Sequence, residues 1–351
     1  MRGRATWRIP PPAAPWPDAM HSEGKVSKRL LTWVPVATAL AYPWTLRLFH
    51  DAIVAQAHGL APAGWLILAF ALPVSCLLLA GYCAGRAGEA LPTVRRIAFL
   101  ALAAPPLFVL IGVVSSLLHS PISDVWTWTI LWLALGAAAT AANSGTGSQP
   151  SGAMTGRLRV AHGISAVLLL MFVAFHLTNH LTGLFGPQVH ARVMAIGRVV
   201  YRSRLVEPAL VALLLFQVIS GFRLAWQWSA RPLDAAKLIQ VGSGAYLAVF
   251  ILTHLNSAFI SARWVHGIAT DWAWATGAPE GLFRDAWNIR LLPHYALGVF
   301  FVIAHLFCGV RTVLVAHGVT RSTADRVWLA GLLCAAGVSS LIAAALCGLR
   351  I

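Results

Sequence analysis

Long apolar runs set the pattern of this chain. Stretches of about 20 apolar residues, enough to cross a hydrocarbon core as helix, alternate with short polar or turn-forming segments. Nine such runs can be drawn, over 31–50, 63–83, 97–118, 125–142, 160–183, 206–228, 240–262, 292–315 and 327–348. None shows the period-two alternation of a barrel strand, so the pattern predicts helices. The first run is interrupted by Pro43, Arg47 and His50. No run reads as a convincing pair of broken half-helices. The segment ANSGTGSQPSG near 142–152 is small, polar and flexible, and predicts a linker over 143–159. It divides a four-helix part, 31–142, from a five-helix part, 160–351. The Pro-rich, basic segment 1–30 lacks a short apolar core with a small-residue cleavage site, and reads as a disordered cytoplasmic tail.

Composition agrees with this picture. The chain is 58% hydrophobic and 11% charged, whereas soluble domains carry about 25% charged residues. The expectation is an all-α, polytopic membrane protein in contact with lipid. Its net charge of +15 has no long or aromatic-interleaved basic run, so it points to anionic lipid and cytoplasmic loops, not nucleic acid. With the N-terminus inside, Lys and Arg fall on the inner side roughly twice as often as outside. That predicts a bacterial-type inner membrane with the C-terminus in the periplasm. Cys76, Cys83, Cys308, Cys334 and Cys347 form no CxxC or CxxCH, which disfavours a compact zinc site or covalent haem and predicts small core residues.

One outside segment breaks the charge rule. In 184–205, Val189, Val193, Ile196 and Val200 recur at helical spacing with Arg192 and Arg202 off that stripe. It predicts an interfacial helix, which either anchors in headgroups or clamps an anion such as a haem propionate or a substrate carboxylate. Asp271, Glu280 and Asp285 lie in the outside loop 263–291 among Trp264, Trp272, Trp274 and Trp287, a composition that suggests a helix at the membrane surface.

Histidine carries the candidate chemistry. His162, His176, His180, His190, His254, His294 and His305 stand in or beside the runs of the second part, and ionisable groups in lipid are functional candidates. His162 and His176 are about 21 Å apart along one helix and within about 40° of one face. His294 and His305 are about 16 Å apart on a helix of opposite direction. His162 therefore shares a depth with His305, and His176 or His180 with His294 or His254. Two depths of facing imidazoles suit one or two haem b groups, with His162, His176, His254, His294 and His305 as candidate ligands. Ser165, Thr178, Asn179, Thr253 and Asn256 are available to fix the second ring nitrogens, and Gly163, Ala174, Gly244 and Gly298 to admit a flat ring. Gln217, Ser220 and Arg223 share one side of their helix, where they either bind a quinone carbonyl or join helices. Glu207 before Pro208 reads as a helix N-terminal carboxylate.

The segment HGISAVLLLMFVAFHLTNHLTGLFG and the later histidine-bearing runs resemble the transmembrane cytochrome b subunits of succinate dehydrogenases and fumarate reductases. The resemblance covers about 157–315. It implies a five-helix haem-b bundle that reacts with quinone beside a redox partner subunit. It also implies His162 or His176, His254 and His305 as ligands. The helix EPALVALLLFQVISGFRLAW has no histidine where many members of that family place a ligand, and four N-terminal helices lie outside the family pattern. Two other readings stay open: a transporter that relays protons through histidines, and a structural membrane protein with histidines as interhelical glue.

Overall fold

A computed structural model describes residues 28–56, 59–84, 92–142 and 152–351. These form helices and no strand. In chain order they are α1 (Lys28–Val54), α2 (Leu60–Ala84), α3 (Pro92–Leu102), α4 (Ala104–Leu117), α5 (Asp124–Ala142), α6 (Gly152–Leu181) and α7 (Pro187–Tyr201). Then come α8 (Val206–Trp228), α9 (Ala235–Leu255), the short α10 (Trp272–Thr276) and α11 (Gly281–Arg284), α12 (Leu291–Ala316) and α13 (Arg321–Leu346). The expected tail lies outside the described residues apart from the start of α1, as do His58 and most of the linker. The linker's end is helical, since α6 begins at Gly152.

Six helices are long and apolar enough to cross a membrane, and α3 with α4 makes a seventh if that bent pair is one span. α1 and α5 are not among them, which is where the count departs from nine. On α1 the charged and proline positions lower the hydropathy, yet the helix runs unbroken through Pro35 and Pro43. The run at 97–118 is broken instead. It bends by 65° between Leu102 and Ala104, just before Pro105 and Pro106, which lack the N–H a continuous helix requires. Outward faces are apolar: Val167 is 70% and Met171 82% exposed on α6, the signature of a lipid-facing stripe. The chain is thus an integral membrane protein by its helices.

The second part closes into a ring. α6 packs on α8, α8 on α9, α9 on α12, α12 on α13, and α13 returns to α6. α6 does not pack along α9 or α12, and it faces them across the interior. α2, α3 and α4 lie against the outside of α9, and α4 also touches α12. The N-terminal helices share one core with the ring, in which Tyr42, Phe108, Trp128 and Trp132 meet Tyr246 and Phe301. α1 turns Val36, Ala39, Tyr42, Leu46 and Phe49 inward at helical spacing, and the Trp128 indole donates to the Ala39 carbonyl at 2.8 Å. Of the cysteines, Cys76, Cys83 and Cys308 are buried. Cys334 is exposed on α13, contrary to its expected core role, because it lies on the face that α12 does not cover.

Arg290, at the start of α12, is buried against Asp124 of α5, with its guanidinium over the rings of Phe108 and Trp287. Removing one member of a buried pair strands the other charge. Asp124→Ala should lower stability by about 3 kcal/mol. Adding Arg290→Met should recover most of it. Thermal unfolding in detergent reads both, and equal losses in the single and double variants would contradict this role.

Candidate functional site

The ring interior brings histidines of facing helices together at two levels. His162 of α6 and His305 of α12 have ring centroids 6.3 Å apart, with planes inclined by 79°. His176 of α6 and His254 of α9 are 5.9 Å apart, inclined by 73°. Fourteen residues separate the two levels on α6, a rise of about 21 Å. Two imidazoles that share one iron through bonds of about 2 Å place their centroids roughly 6 Å apart. Face-to-face stacking would prevent both nitrogens from pointing at one atom, and these rings are steeply inclined. Among the described residues no three His, Cys, Asp or Glu side chains converge as a chelate, but the second level is more crowded than the first. His176 also meets His180 at 4.8 Å, and His180 meets His190 at 5.6 Å, with its own Nδ1 buried and without a hydrogen-bond partner among the described residues.

Hydrogen bonds fix the first pair. His162 Nδ1 lies 2.7 Å from Ser220 Oγ, and that hydroxyl already donates to the Phe216 carbonyl at 2.5 Å. Ser220 therefore accepts, and Nδ1 carries the proton. His305 Nδ1 lies 3.0 Å from Ser243 Oγ and 3.1 Å from the Gln240 carbonyl, which only accepts, so Nδ1 is again the donor. Both Nε2 atoms are left with a bare lone pair, the form that binds iron. A glycine follows each serine. A Cβ on Gly221 would sit 3.3 Å from His162 Cε1, and one on Gly244 3.2 Å from His305 Cε1, both tighter than usual. Each Ser–Gly pair thus supplies the acceptor and the room for the ring. The expected serine partner, Ser165, bonds the His162 carbonyl instead, and Gln217 donates to that carbonyl and to Ser165 Oγ. Gln217 and Ser220 thus tie α8 to α6 around His162, and Arg223 is exposed.

The second pair is held by aromatics. Phe172 stacks on His176 and Phe250 on His254, each one turn earlier on its own helix. His294, the other expected partner at this depth, does not meet His176. It packs against Phe250 at 4.6 Å, only 2% exposed, and its Nδ1 has no hydrogen-bond partner among the described residues. Of the other expected partners, Thr253 bonds the Pro106 carbonyl at 3.0 Å, and Asn179 bonds His190 at 3.1 Å. Thr178 is exposed, and Asn256 Nδ2 is buried without a partner among the described residues. Gly298 accommodates Phe250, and Gly163 meets nothing.

Beside the second pair lies a cavity of about 720 Å³. His254, His294, Tyr295, Trp274 and Trp287 line it, with Asp271, Glu280 and Asp285. No Lys or Arg belongs to its lining. It is walled by the ten residues Asn256–Val265, where α9 continues as a wider π-helix, and by the loop that carries α10 and α11. Arg263 at the end of that π-helix pairs with Glu207 at 2.7 Å, which adds a tether to the helix-terminal role expected of Glu207.

α7 forms as expected, but the face it buries is His190, Met194 and Gly197; Ile196 and Val200 of the valine stripe are exposed. Arg202 donates to Thr270 Oγ1 at 2.8 Å, and Arg198, which sequence reasoning passed over, to the Thr270 carbonyl at 2.9 Å. Arg192 is exposed. The arginines thus clamp the cavity loop, and Arg192 plays no part in it. His190 and Trp272 pack at 4.6 Å, with Gly183 beneath the Trp272 indole where a Cβ would clash.

Comparison with protein-family models, with curated proteins and with solved structures finds no match.

Two outcomes follow. Arg202→Gln should loosen the loop around Thr270 and speed its proteolysis, whereas Arg192→Gln should not; equal rates in both would show that the loop is held otherwise. Burial, aided by the Arg198 charge, pushes His190 down to about 4 from an ordinary 6.5, against the pull of Asp271. Its folded value lies below its unfolded one, so its neutral form stabilises α7 above pH 6.5, and that contribution is lost as the pH falls toward 4. Amide exchange across 187–201 should accelerate in that window, and His190→Gln should flatten the response.

Proposed function

We propose that the protein is an integral membrane electron-transfer protein holding two haem b groups, one between His162 and His305 and one between His176 and His254. The observation that supports this reading most is the pairing of imidazoles across a helical ring at the spacing of two axial ligands, twice, at two depths. Bound there, each haem would supply a one-electron iron couple. The chain's own residues do the positioning. Ser220 and Ser243 hold the Nδ1 protons and so leave the Nε2 lone pairs free for iron. Phe172 and Phe250 fix the second pair of rings by stacking. The five-helix ring surrounds both levels. Two couples about 21 Å apart would carry electrons over most of a hydrocarbon core of about 30 Å.

The Lys and Arg bias puts the His162 level toward the cytoplasm and the His176 level and its cavity toward the periplasm of a bacterial-type inner membrane. In this reading α1 and α5 also cross, giving nine spans; Trp33, Val34 and Trp44 on α1 and Trp126 and Ile130 on α5 face outward as lipid-exposed residues would. A quinone would exchange electrons at the outer cavity, with the unpaired His294 Nδ1 as the group that meets its oxygen. A redox partner subunit would engage the opposite end. The transporter reading draws support from the break between α3 and α4, a feature of helices that line transport sites. Yet the paired histidines lie in the ring, on helices other than the broken pair.

Oxidised and dithionite-reduced spectra of the purified protein decide between them. Haem absorbance is expected in the wild type. His162→Ala or His305→Ala should remove roughly half of the haem, as should His176→Ala or His254→Ala, because each pair serves one group. His294→Ala should keep the full content. Purified protein without haem absorbance after expression with ample haem would defeat the reading.

A further inference from the structure

The two levels sit in unequal electrostatic surroundings, and one cation stands out. Lys237, near the start of α9, is half-buried one to two turns beyond Ser243, on the cytoplasmic side of the first pair in the proposed orientation. Its ammonium donates to Gln240 Oε1 at 2.8 Å and lies 4.2 Å from the Trp228 ring centroid. Both partners are neutral. Among the described residues no carboxylate forms an ion pair with it: Asp325 is taken by Arg311, and Asp234 caps α9 through the Lys237 backbone N–H. Arg159, three residues before His162, and Arg311, six after His305, are close enough to add their repulsion, which the pull of Asp234 opposes. Topology explains exposed arginines at a membrane edge, but leaves open why this half-buried ammonium has only neutral groups in direct contact. The same residue is coupled to the site, since Gln240 also accepts the His305 Nδ1 proton through its carbonyl. At the other level the charges reverse, because the cavity that His254 lines carries Asp271, Glu280 and Asp285 and no cation.

We infer that Lys237 pairs with a propionate carboxylate of the group held between His162 and His305 and raises its potential above that of the group between His176 and His254. This rests on the haem reading above. A positive charge favours the reduced, less positive iron, and acidic neighbours favour the oxidised one. At equilibrium a single electron would reside at the cytoplasmic level, so the ring is biased to draw electrons inward from the cavity side.

The test is a redox titration of the full-length protein in two backgrounds, His176→Ala to leave the first level and His162→Ala to leave the second. The first level should titrate at the higher potential. Lys237→Gln in the His176→Ala background should change the reduced-to-oxidised ratio at a fixed potential by roughly tenfold toward oxidised, the effect of one charge at about 10 Å in an effective dielectric near 20. In the His162→Ala background it should change nothing. Lys237→Arg should restore the ratio, and resonance Raman propionate modes should shift in the Gln variant alone. Protein without haem would sink the haem reading and this one together. Haem retained with an unchanged first-level potential in Lys237→Gln, or a first level that titrates below the second in the unaltered Lys237 protein, would overturn this inference alone. If Lys237→Gln fails to accumulate, the order of the two potentials in the single-level proteins still decides.

Discussion

An imidazole inside an apolar helical ring must place one N–H and one lone pair, and most of the second part is arranged around that requirement. Lipid offers neither donor nor acceptor, so a misdirected ring costs what any unpaired polar group costs there. At the first level the N–H goes to a serine whose own proton is already committed to a carbonyl of its helix. That commitment makes the hydroxyl an acceptor and so settles the tautomer. The adjoining glycine lets the ring approach the helix that holds it. At the second level no serine bonds His176 or His254 among the described residues, and a phenylalanine one turn earlier fixes each ring plane by contact. The first solution dictates which nitrogen is free, while the second dictates only where the ring lies.

The N-terminal helices make sense as support for this arrangement. α9 contributes to both levels, through Ser243 and Gln240 at one and His254 at the other. It is also the helix against which α2, α3 and α4 pack. The break at Ala103 bends the chain around α9, and Thr253, next to His254, donates to the Pro106 carbonyl just past that break. Proline therefore ends one helix and leaves its neighbourhood tied to the residue beside a paired histidine. Tyr246, between the two levels, donates to the His294 carbonyl and so locks α9 to the start of α12. The first part thus stiffens one wall of the ring.

Much of this was legible in the residues. Hydropathy located every long helix of the described chain, since each needs an apolar run, but could not tell a crossing helix from one whose charges and prolines leave it marginal, as in α1. Helical periodicity and chain direction placed His162 level with His305 and His176 with His254, because rise per residue is a constant of the helix. The choice between His254 and His294 was not legible. Both lie at a suitable depth, and only the rotation of α12 about its axis puts His294 behind Phe250. The partners of the rings were misread for a related reason: Ser220 was grouped with Gln217 and Arg223 by helical face, while its tie to His162 depends on which helix lies opposite. The recurrence of a Ser–Gly dipeptide, at Ser220–Gly221 and Ser243–Gly244, was the signal in the sequence that could have found both.

Charge asymmetry adds a direction to what is otherwise a nearly symmetric device. Two imidazole pairs of similar spacing face each other at two depths in one ring, though His180 and His190 crowd the second level alone, and such pairs would give no preference for either end if their surroundings were alike. They are not alike. One level has a half-buried ammonium with only neutral partners, while the other borders a cavity lined by carboxylates. The arginines that might have balanced those carboxylates are engaged elsewhere, Arg198 and Arg202 with Thr270, Arg263 with Glu207 and Arg290 with Asp124. Each of these contacts shapes the cavity wall or the helix ends next to it; Arg263 and Arg290 are neutralised by carboxylates of their own, while Arg198 and Arg202 keep their charge but stand behind Thr270, outside the lining. A site made this way keeps a net acidic lining, which disfavours anionic ligands and favours uncharged ones with hydroxyl groups to donate. The same contacts that hold the outer loop in place thereby set both the chemistry the cavity accepts and the field felt by the histidine pair beside it.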